Sequence, residues 1–126
     1  GEGSGYVPYS VYMTTPEYLA EHPDVVQGFT NAIYRAQLYI QSHSAEEIAA
    51  LCQPYFEENS LETLTTIIDR YQSQDTWTKT PAFSQDAFDN IQTIMAESGE
   101  LTAPLDFTTF IDQSFALKAV ETITAE

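Results

Sequence analysis

Helix-start signals restrict what this chain can fold into more than any other feature of its sequence. A residue type that favours the beginning of a helix stands before an apolar pattern at Thr15, Pro23, Ser44, Ser60 and Ser84. The stretch SAEE that begins at Ser44 also has the capping-box spacing, in which a serine and a glutamate satisfy each other's backbone N–H groups. These signals predict a mostly helical chain.

Apolar residues recur at three- and four-residue steps after each signal, which is the spacing of one helix face. Gly99 is predicted to end the helix that begins at Ser84. The aromatic residues after position 106 indicate a final helix or helical turn, so the count is four to five helices. The predicted inward faces are Val26, Phe29, Ile33, Ala36 and Ile40; Ile48, Leu51 and Cys52; Leu61, Leu64, Ile67, Ile68 and Tyr71; and Phe88, Ile91, Ile94 and Met95.

The N-terminal stretch GYVPYSVYMTTPEYL does not fit this helical pattern. Residues 7–13 are rich in aromatic and β-branched types and predict one short strand, although Pro8 restricts it to an edge, a strand start or a crossing segment. A strand needs a neighbour for its backbone N–H and C=O groups, and the rest of the chain predicts none. We therefore expect the partners of this strand to lie upstream, in a larger protein of which this chain is the C-terminal part.

The charge distribution excludes several classes of partner. The 126 residues carry 19 Asp and Glu against 4 Lys and Arg, for a formal net charge of -15. Because the four cations, Arg35, Arg70, Lys79 and Lys118, are scattered singly, no basic stripe is present to neutralise phosphates. Binding to nucleic acid or to an anionic membrane surface is not expected.

Candidate catalytic and metal-binding groups are few. His22 and His43 stand at helix boundaries without a second ligand at metal spacing, and Cys52 lies on an apolar helix face, where an inert thiol is usual. Neighbouring carboxylates, as in the pairs 46–47 and 57–58, diverge by about 100° on a helix and so are not preset to share a site. We expect no metal, no cofactor and no enzymatic activity.

The aromatic residues leave two interpretations open. Tyr6, Tyr9 and Tyr12 lie within seven residues, where they either pack against a neighbour or face a cleft. In a cleft, Tyr6 and Tyr9 would offer flat apolar area with a polar tip to a small ligand. Trp77, within a polar loop, is either a packing anchor or a ligand contact, and the first reading is favoured.

Several short stretches follow one another in an order that covers essentially the whole chain, namely residues 5–10, 15–19, 22–26, 32–37, 71–77 and 95–101. Together they resemble the C-terminal region of substrate-binding proteins of ABC importers, of the nitrate, sulfonate, taurine and thiamine-precursor type.

The resemblance implies a two-lobed α/β fold in which a ligand binds in the cleft and the lobes close over it. Residues 1–15 would be the crossover or hinge strand, and residues 16–126 the helical part of the first lobe. Gly5, Tyr6 and Tyr9 would be the ligand-binding residues of this chain. The implied partners are a small solute, an ABC permease and the missing N-terminal lobe, and the implied location is extracytoplasmic, in the periplasm or lipid-anchored at the outer face of the membrane.

Two other classes of function remain open. The same fold includes an enzyme relative that makes the thiamine pyrimidine, but this chain lacks the histidine cluster that such chemistry would need. Alternatively, the chain is a stand-alone helical interaction module that dimerises through its N-terminal strand, which would give a strand-swapped homodimer.

Overall fold

The computed structural model describes residues 5–124, which form seven α-helices and one 3₁₀ helix. Helices α1 and α2 follow each other directly, because Pro23 ends the first and begins the second. The elements are α1 (Pro16–Glu21), α2 (Pro23–Ser42), α3 (Ala45–Cys52), the 3₁₀ helix η1 (Gln53–Tyr55), α4 (Leu61–Ser73), α5 (Gln85–Glu97), α6 (Phe107–Phe110) and α7 (Ser114–Thr122).

The predicted helix starts are confirmed by hydrogen bonds. The hydroxyl of Thr15 accepts from the backbone N–H of Tyr18 at 3.2 Å, and Ser60 and Ser84 accept in the same way at the starts of α4 and α5. At α3 the capping box is complete, since the N–H of Ser44 donates to the Glu47 carboxylate at 2.9 Å and the N–H of Glu47 donates back to Ser44 Oγ. Each cap satisfies a backbone donor that the helix itself leaves unpaired.

Two helices end with a residue in the left-handed backbone conformation. Gly99, with φ of +80°, follows α5, and the N–H of Glu100 donates to the carbonyl of Met95 at 2.9 Å. Asp75, with φ of +50°, occupies the same place after α4, where the N–H of Thr76 donates to the carbonyl of Tyr71. Both ends are Schellman motifs, so the predicted role of Gly99 is confirmed.

Helices α3 and α4 pack against each other around the main core cluster. Ala49 is fully buried there, and the small side chain allows the two helices to approach closely. The cluster comprises Ala45, Ile48, Ala49, Leu64 and Ile68, with Tyr39, Ile40, Cys52 and Trp77 packed around it.

A second packing region joins α2, α5 and α7 to the loops. Helix α7 lies on α2, and Gln27 on α2 donates to the carbonyl of Phe115 at 3.0 Å. Nearby, the rings of Phe83, Phe88 and Phe107 contact one another, with the Phe88 and Phe107 centroids 5.5 Å apart and nearly perpendicular. These aromatic contacts hold α5 to the short helix α6.

The predicted N-terminal strand is wrong. Residues 5–15 run without regular secondary structure, and no strand occurs among residues 5–124. The local preference for β-structure is overridden because no neighbouring strand is available to pair with the backbone. The first four residues of the predicted crossover lie outside the described part.

The predicted α/β fold and the predicted number of helices are wrong as well. The described residues are all helical, with seven α-helices instead of four or five. The aromatic residues after position 106 do not form one final helix, because residues 111–113 separate α6 from α7, and the Asp112 carboxylate accepts from the N–H of Ser114 at 2.9 Å. The alternative of dimerisation through the N-terminal strand loses its basis, since that strand does not form.

Candidate functional site

The segment before α1, residues 5–14, is the part of the chain that the sequence associates with ligand binding, and we call it the N-terminal arm. The arm is attached to α5 by Asn90, whose amide nitrogen donates to the carbonyl of Tyr6 at 2.9 Å. Gly5 adopts a φ of +68°, and a Cβ placed there would lie 3.4 Å from that same nitrogen. The positive φ of Gly5 is what favours glycine at this attachment, since a Cβ would meet the end of the Asn90 side chain at close to an ordinary contact distance.

The three predicted ligand-binding residues share this arm but do not enclose a site. Gly5 and Tyr6 are exposed, and Tyr9 is fully exposed to solvent. Two shallow depressions of about 300 and 330 Å³ lie elsewhere, one along α4 at Thr66, Ile67, Arg70 and Tyr71, and one beside η1 at Ala50, Gln53, Pro54 and Glu57. Neither depression includes a predicted ligand-binding residue.

Exposed apolar side chains continue from the arm onto α2. The ring of Tyr12 meets the ring of Phe29 edge-on, with centroids 4.9 Å apart, yet Tyr12 remains 75% exposed and Phe29 48% exposed. Val25 precedes Phe29 by one helical turn and is also exposed. We refer to Tyr12 and Met13 together with Val25 and Phe29 as the arm surface.

The whole chain exposes more surface than a closed globular protein of its mass. Its accessible area is 9376 Å², whereas a compact 14.1 kDa monomer is expected to expose about 6,700 Å². Among residues 5–124 the buried apolar residues are few, and no large side chain is fully buried. An excess of about 2,700 Å² exceeds the roughly 800 Å² that each partner contributes to a standard protein interface.

The formal charges carried by the arm, α1 and the first half of α2 are of one sign. Residues 5–34 contain Glu17, Glu21 and Asp24 but no lysine or arginine. His22 lies 4.0 Å from the Glu21 carboxylate, and both side chains are exposed. A partner for this face must therefore accept exposed aromatic rings beside a negatively charged rim.

Two carboxyl groups have perturbed pKa values, and both belong to helix caps. The N–H of Ser44 lowers the pKa of Glu47, with smaller contributions from His43 and the Ser44 hydroxyl. Hydrogen bonds from the hydroxyls of Thr108 and Thr109, and from the Thr109 N–H, lower the pKa of Asp106 at the start of α6. Their role is to stabilise helix starts, and neither has the raised pKa of a general acid.

The residues considered for chemistry occupy structural positions. His22 and His43 are confirmed at helix boundaries, and the ring of His43 stacks on Tyr39 at 3.6 Å. Cys52 is half-buried against the core cluster. Trp77 packs against that cluster and meets Tyr71 edge-on at 5.3 Å, which confirms its role as a packing anchor. Within residues 5–124, no group of His, Cys, Asp and Glu is arranged to hold a metal ion.

Sequence reasoning missed a set of glutamines that fix the loops. Gln72 donates to the carbonyls of Ile40 and His43, and Gln92, which is buried, accepts from the N–H of Leu105. Gln27 and Gln41 donate to the carbonyls of Phe115 and Lys79, and Gln113 accepts from the N–H of Phe83. A single glutamine produces no periodic pattern in the sequence. Only its position among apolar residues could have indicated that its side chain has a structural role.

Comparison with known proteins gives one related sequence. The chain is 33% identical over 118 residues to "Putative binding protein YtlA" of Bacillus subtilis (strain 168). The matched region covers 94% of this chain but 35% of the relative, so the chain spans about a third of the length of the relative that it matches. No protein-family model and no solved structure matches the chain. The similarity relates the chain to a protein named for binding, without specifying a solute or an importer.

None of the helices described between residues 5 and 124 combines the length and the apolar character that crossing a membrane requires.

Proposed function

We propose that the chain is one part of an extracytoplasmic substrate-binding protein that delivers a small solute to an ABC importer. The observation that carries the proposal is the 33% identity, across 94% of the chain, to a protein named as a binding protein. The transport role is inferred from the short stretches whose order resembles that of ABC-importer substrate-binding proteins. The same resemblance suggests the solute class, which is a sulfonate, nitrate, taurine or a thiamine-precursor-like molecule.

The exposure of the arm supports a divided binding site. Tyr6 and Tyr9 present rings and hydroxyl groups at the surface of the described part, where they contact solvent on more than half of their area. A ligand pocket normally buries most of a small molecule's surface. The arm can therefore supply one wall of a site, and the other walls must come from further protein.

Calorimetry on two proteins tests the proposal. One is this chain alone, and the other is a chimera in which this chain replaces the 118 matched residues of YtlA. We expect taurine, an alkyl sulfonate, nitrate or a thiamine pyrimidine precursor to bind the chimera with a dissociation constant of about 1 μM. The isolated chain should bind the same compound weakly or not at all, because it encloses no site.

Matched tyrosine variants identify the contribution of the arm. Tyr9→Ala in the chimera should weaken solute binding about tenfold or more, whereas Tyr55→Ala, at an exposed tyrosine that ends η1, should leave it unchanged. Tight binding by the isolated chain would contradict the divided site. Failure of a folded chimera to bind any of the four classes would contradict the solute-binding role.

A further inference from the structure

We propose that the arm surface is a docking face for the remaining part of the binding protein, which covers it with an apolar patch edged by basic residues. This inference rests on the proposed function for the identity of the partner. It goes further by assigning the face of this chain that makes the contact and the chemistry of the surface that it meets.

The amount of exposed surface argues for a large and permanent partner. The chain exposes about 2,700 Å² more than a compact protein of its mass, which is enough for several standard interfaces. Permanent interfaces resemble a protein core cut in half and are more apolar than transient ones. The arm surface has this composition, since Tyr12 and Met13 are both more than two-thirds exposed.

The contacts of the arm indicate that further protein packs on the outer side of the arm surface. Tyr12 contacts Phe29 only edge-on, so one face of the aromatic pair is covered and the outer side is open. Val25 extends the same apolar row one turn along α2. Exposed tyrosine and methionine side chains of this kind are enriched at the centres of protein interfaces.

The charges argue against a second copy of this chain as the occupant. A two-fold contact would bring Glu17, Glu21 and Asp24 of one copy towards the same residues of the other. No lysine or arginine within residues 5–34 is present to offset that repulsion, and each copy carries a net charge of -15. A separate surface with a basic rim is compatible with the same three carboxylates.

The relative supplies the candidate occupant. The region that this chain matches is 35% of YtlA, so about two-thirds of that binding protein consists of other sequence. We therefore assign the arm surface to contact with the part of the binding protein that corresponds to this additional sequence.

Hydroxyl-radical footprinting in the absence of solute tests the docking face directly. Tyr12, Met13 and Phe29 should be oxidised readily in the isolated chain and at least fivefold more slowly in the YtlA chimera. Tyr55, which is 82% exposed and is the last residue of η1, is the matched control and should react equally in both proteins. Unchanged oxidation of the arm surface in a folded chimera, or equal protection of Tyr55, would overturn the assignment.

A second measurement uses the isolated chain alone and does not depend on the chimera. Light scattering coupled to size exclusion should give a monomer between about 10 and 200 μM. A dimer whose formation protects Tyr12 and Met13 would overturn the proposal in favour of a second copy. Neither experiment requires a ligand, so a protected arm surface together with absent solute binding would contradict the transport role and leave the docking face intact.

Discussion

The ring of Tyr12 rests edge-on against the ring of Phe29, and this is a contact between the arm and the first half of α2. Edge-to-face pairs of this kind contribute about 0.5–1.5 kcal/mol beyond area burial. We expect a double-mutant cycle with Tyr12→Ala and Phe29→Ala to give a coupling energy of about 0.5–1 kcal/mol in urea unfolding. A cycle that pairs Tyr55→Ala with Phe29→Ala provides the control and should show no coupling.

Leu64 and Leu61 lie on the same helix but differ in burial, which makes them a matched pair. Leu64 belongs to the core cluster between α3 and α4, whereas Leu61 is 42% exposed. Leu64→Ala should lower the free energy of unfolding by about 3 kcal/mol, because it leaves a cavity as well as removing buried methyl groups. Leu61→Ala should cost less than about 1 kcal/mol. Equal losses would mean that α3 and α4 do not form the main core.

Removing the glycine from one Schellman motif and introducing a glycine into the other should have opposite effects on stability. Gly99→Ala should destabilise the chain by about 1 kcal/mol, since the left-handed backbone disfavours a Cβ and no neighbouring atom lies within 4 Å to compensate or clash. Asp75→Gly should stabilise it by several tenths of a kcal/mol for the same reason. Thermal unfolding of both variants measures this, and effects of the same sign would contradict the assignment.

Acid should weaken the capping box at α3. The folded-state pKa of Glu47 is lowered by the Ser44 N–H, so its stabilising contribution is present above the ordinary pKa of a glutamate and is lost as the pH falls through the folded value. The melting temperature of the native chain should therefore exceed that of Glu47→Gln at pH 7, and the difference should begin to shrink near the ordinary glutamate pKa of about 4.3 and vanish only below the lowered folded-state pKa. Glu46→Gln removes a charge from the same turn but leaves the carboxylate that accepts the Ser44 N–H, and its difference from the native chain should change less over the same range.

The starts and ends of the helices were predictable because their causes are local. A serine hydroxyl at Ser44, Ser60 or Ser84 needs only the next three residues to form its hydrogen bond, and Gly99 needs only its own backbone freedom. The division between α6 and α7 is also accompanied by a local hydrogen bond, from the Ser114 N–H to the Asp112 carboxylate, but the aromatic residues on both sides concealed it.

The inward helix faces were only partly predictable. Each error is a residue that was predicted to face inward and is exposed. Ile48, Leu64, Ile68 and Phe88 are buried as expected. The residues predicted to face inward but found exposed are Phe29, Ala36, Leu51, Leu61, Ile67, Tyr71 and Met95. Periodicity identifies an apolar face without saying what covers it. The apolar stripes of α2, α3 and α4 are wider than the surface their neighbours cover, which agrees with the excess of exposed area.

The candidate site was the least predictable part. Gly5, Tyr6 and Tyr9 were selected by composition and resemblance, and the structure places them together on the arm without enclosing a pocket. The predicted strand at residues 7–13 failed because β-structure depends on a partner strand, which a sequence pattern cannot supply. Asn90, which holds the arm, is 84 residues away from Tyr6 and gives no pattern of its own.

Neutral glutamine side chains, and not charged groups, hold the loops of this chain in place. Loops at Lys79, Phe83 and Leu105, and helix α7 at Phe115, are held by neutral amides, and salt bridges contribute little to the described part. Salt and acidity therefore act mainly on the repulsion among surface carboxylates and leave the loop attachments unaffected. Surface charge can consequently drift during evolution to suit a saline or acidic habitat while the scaffold beneath it keeps the same shape.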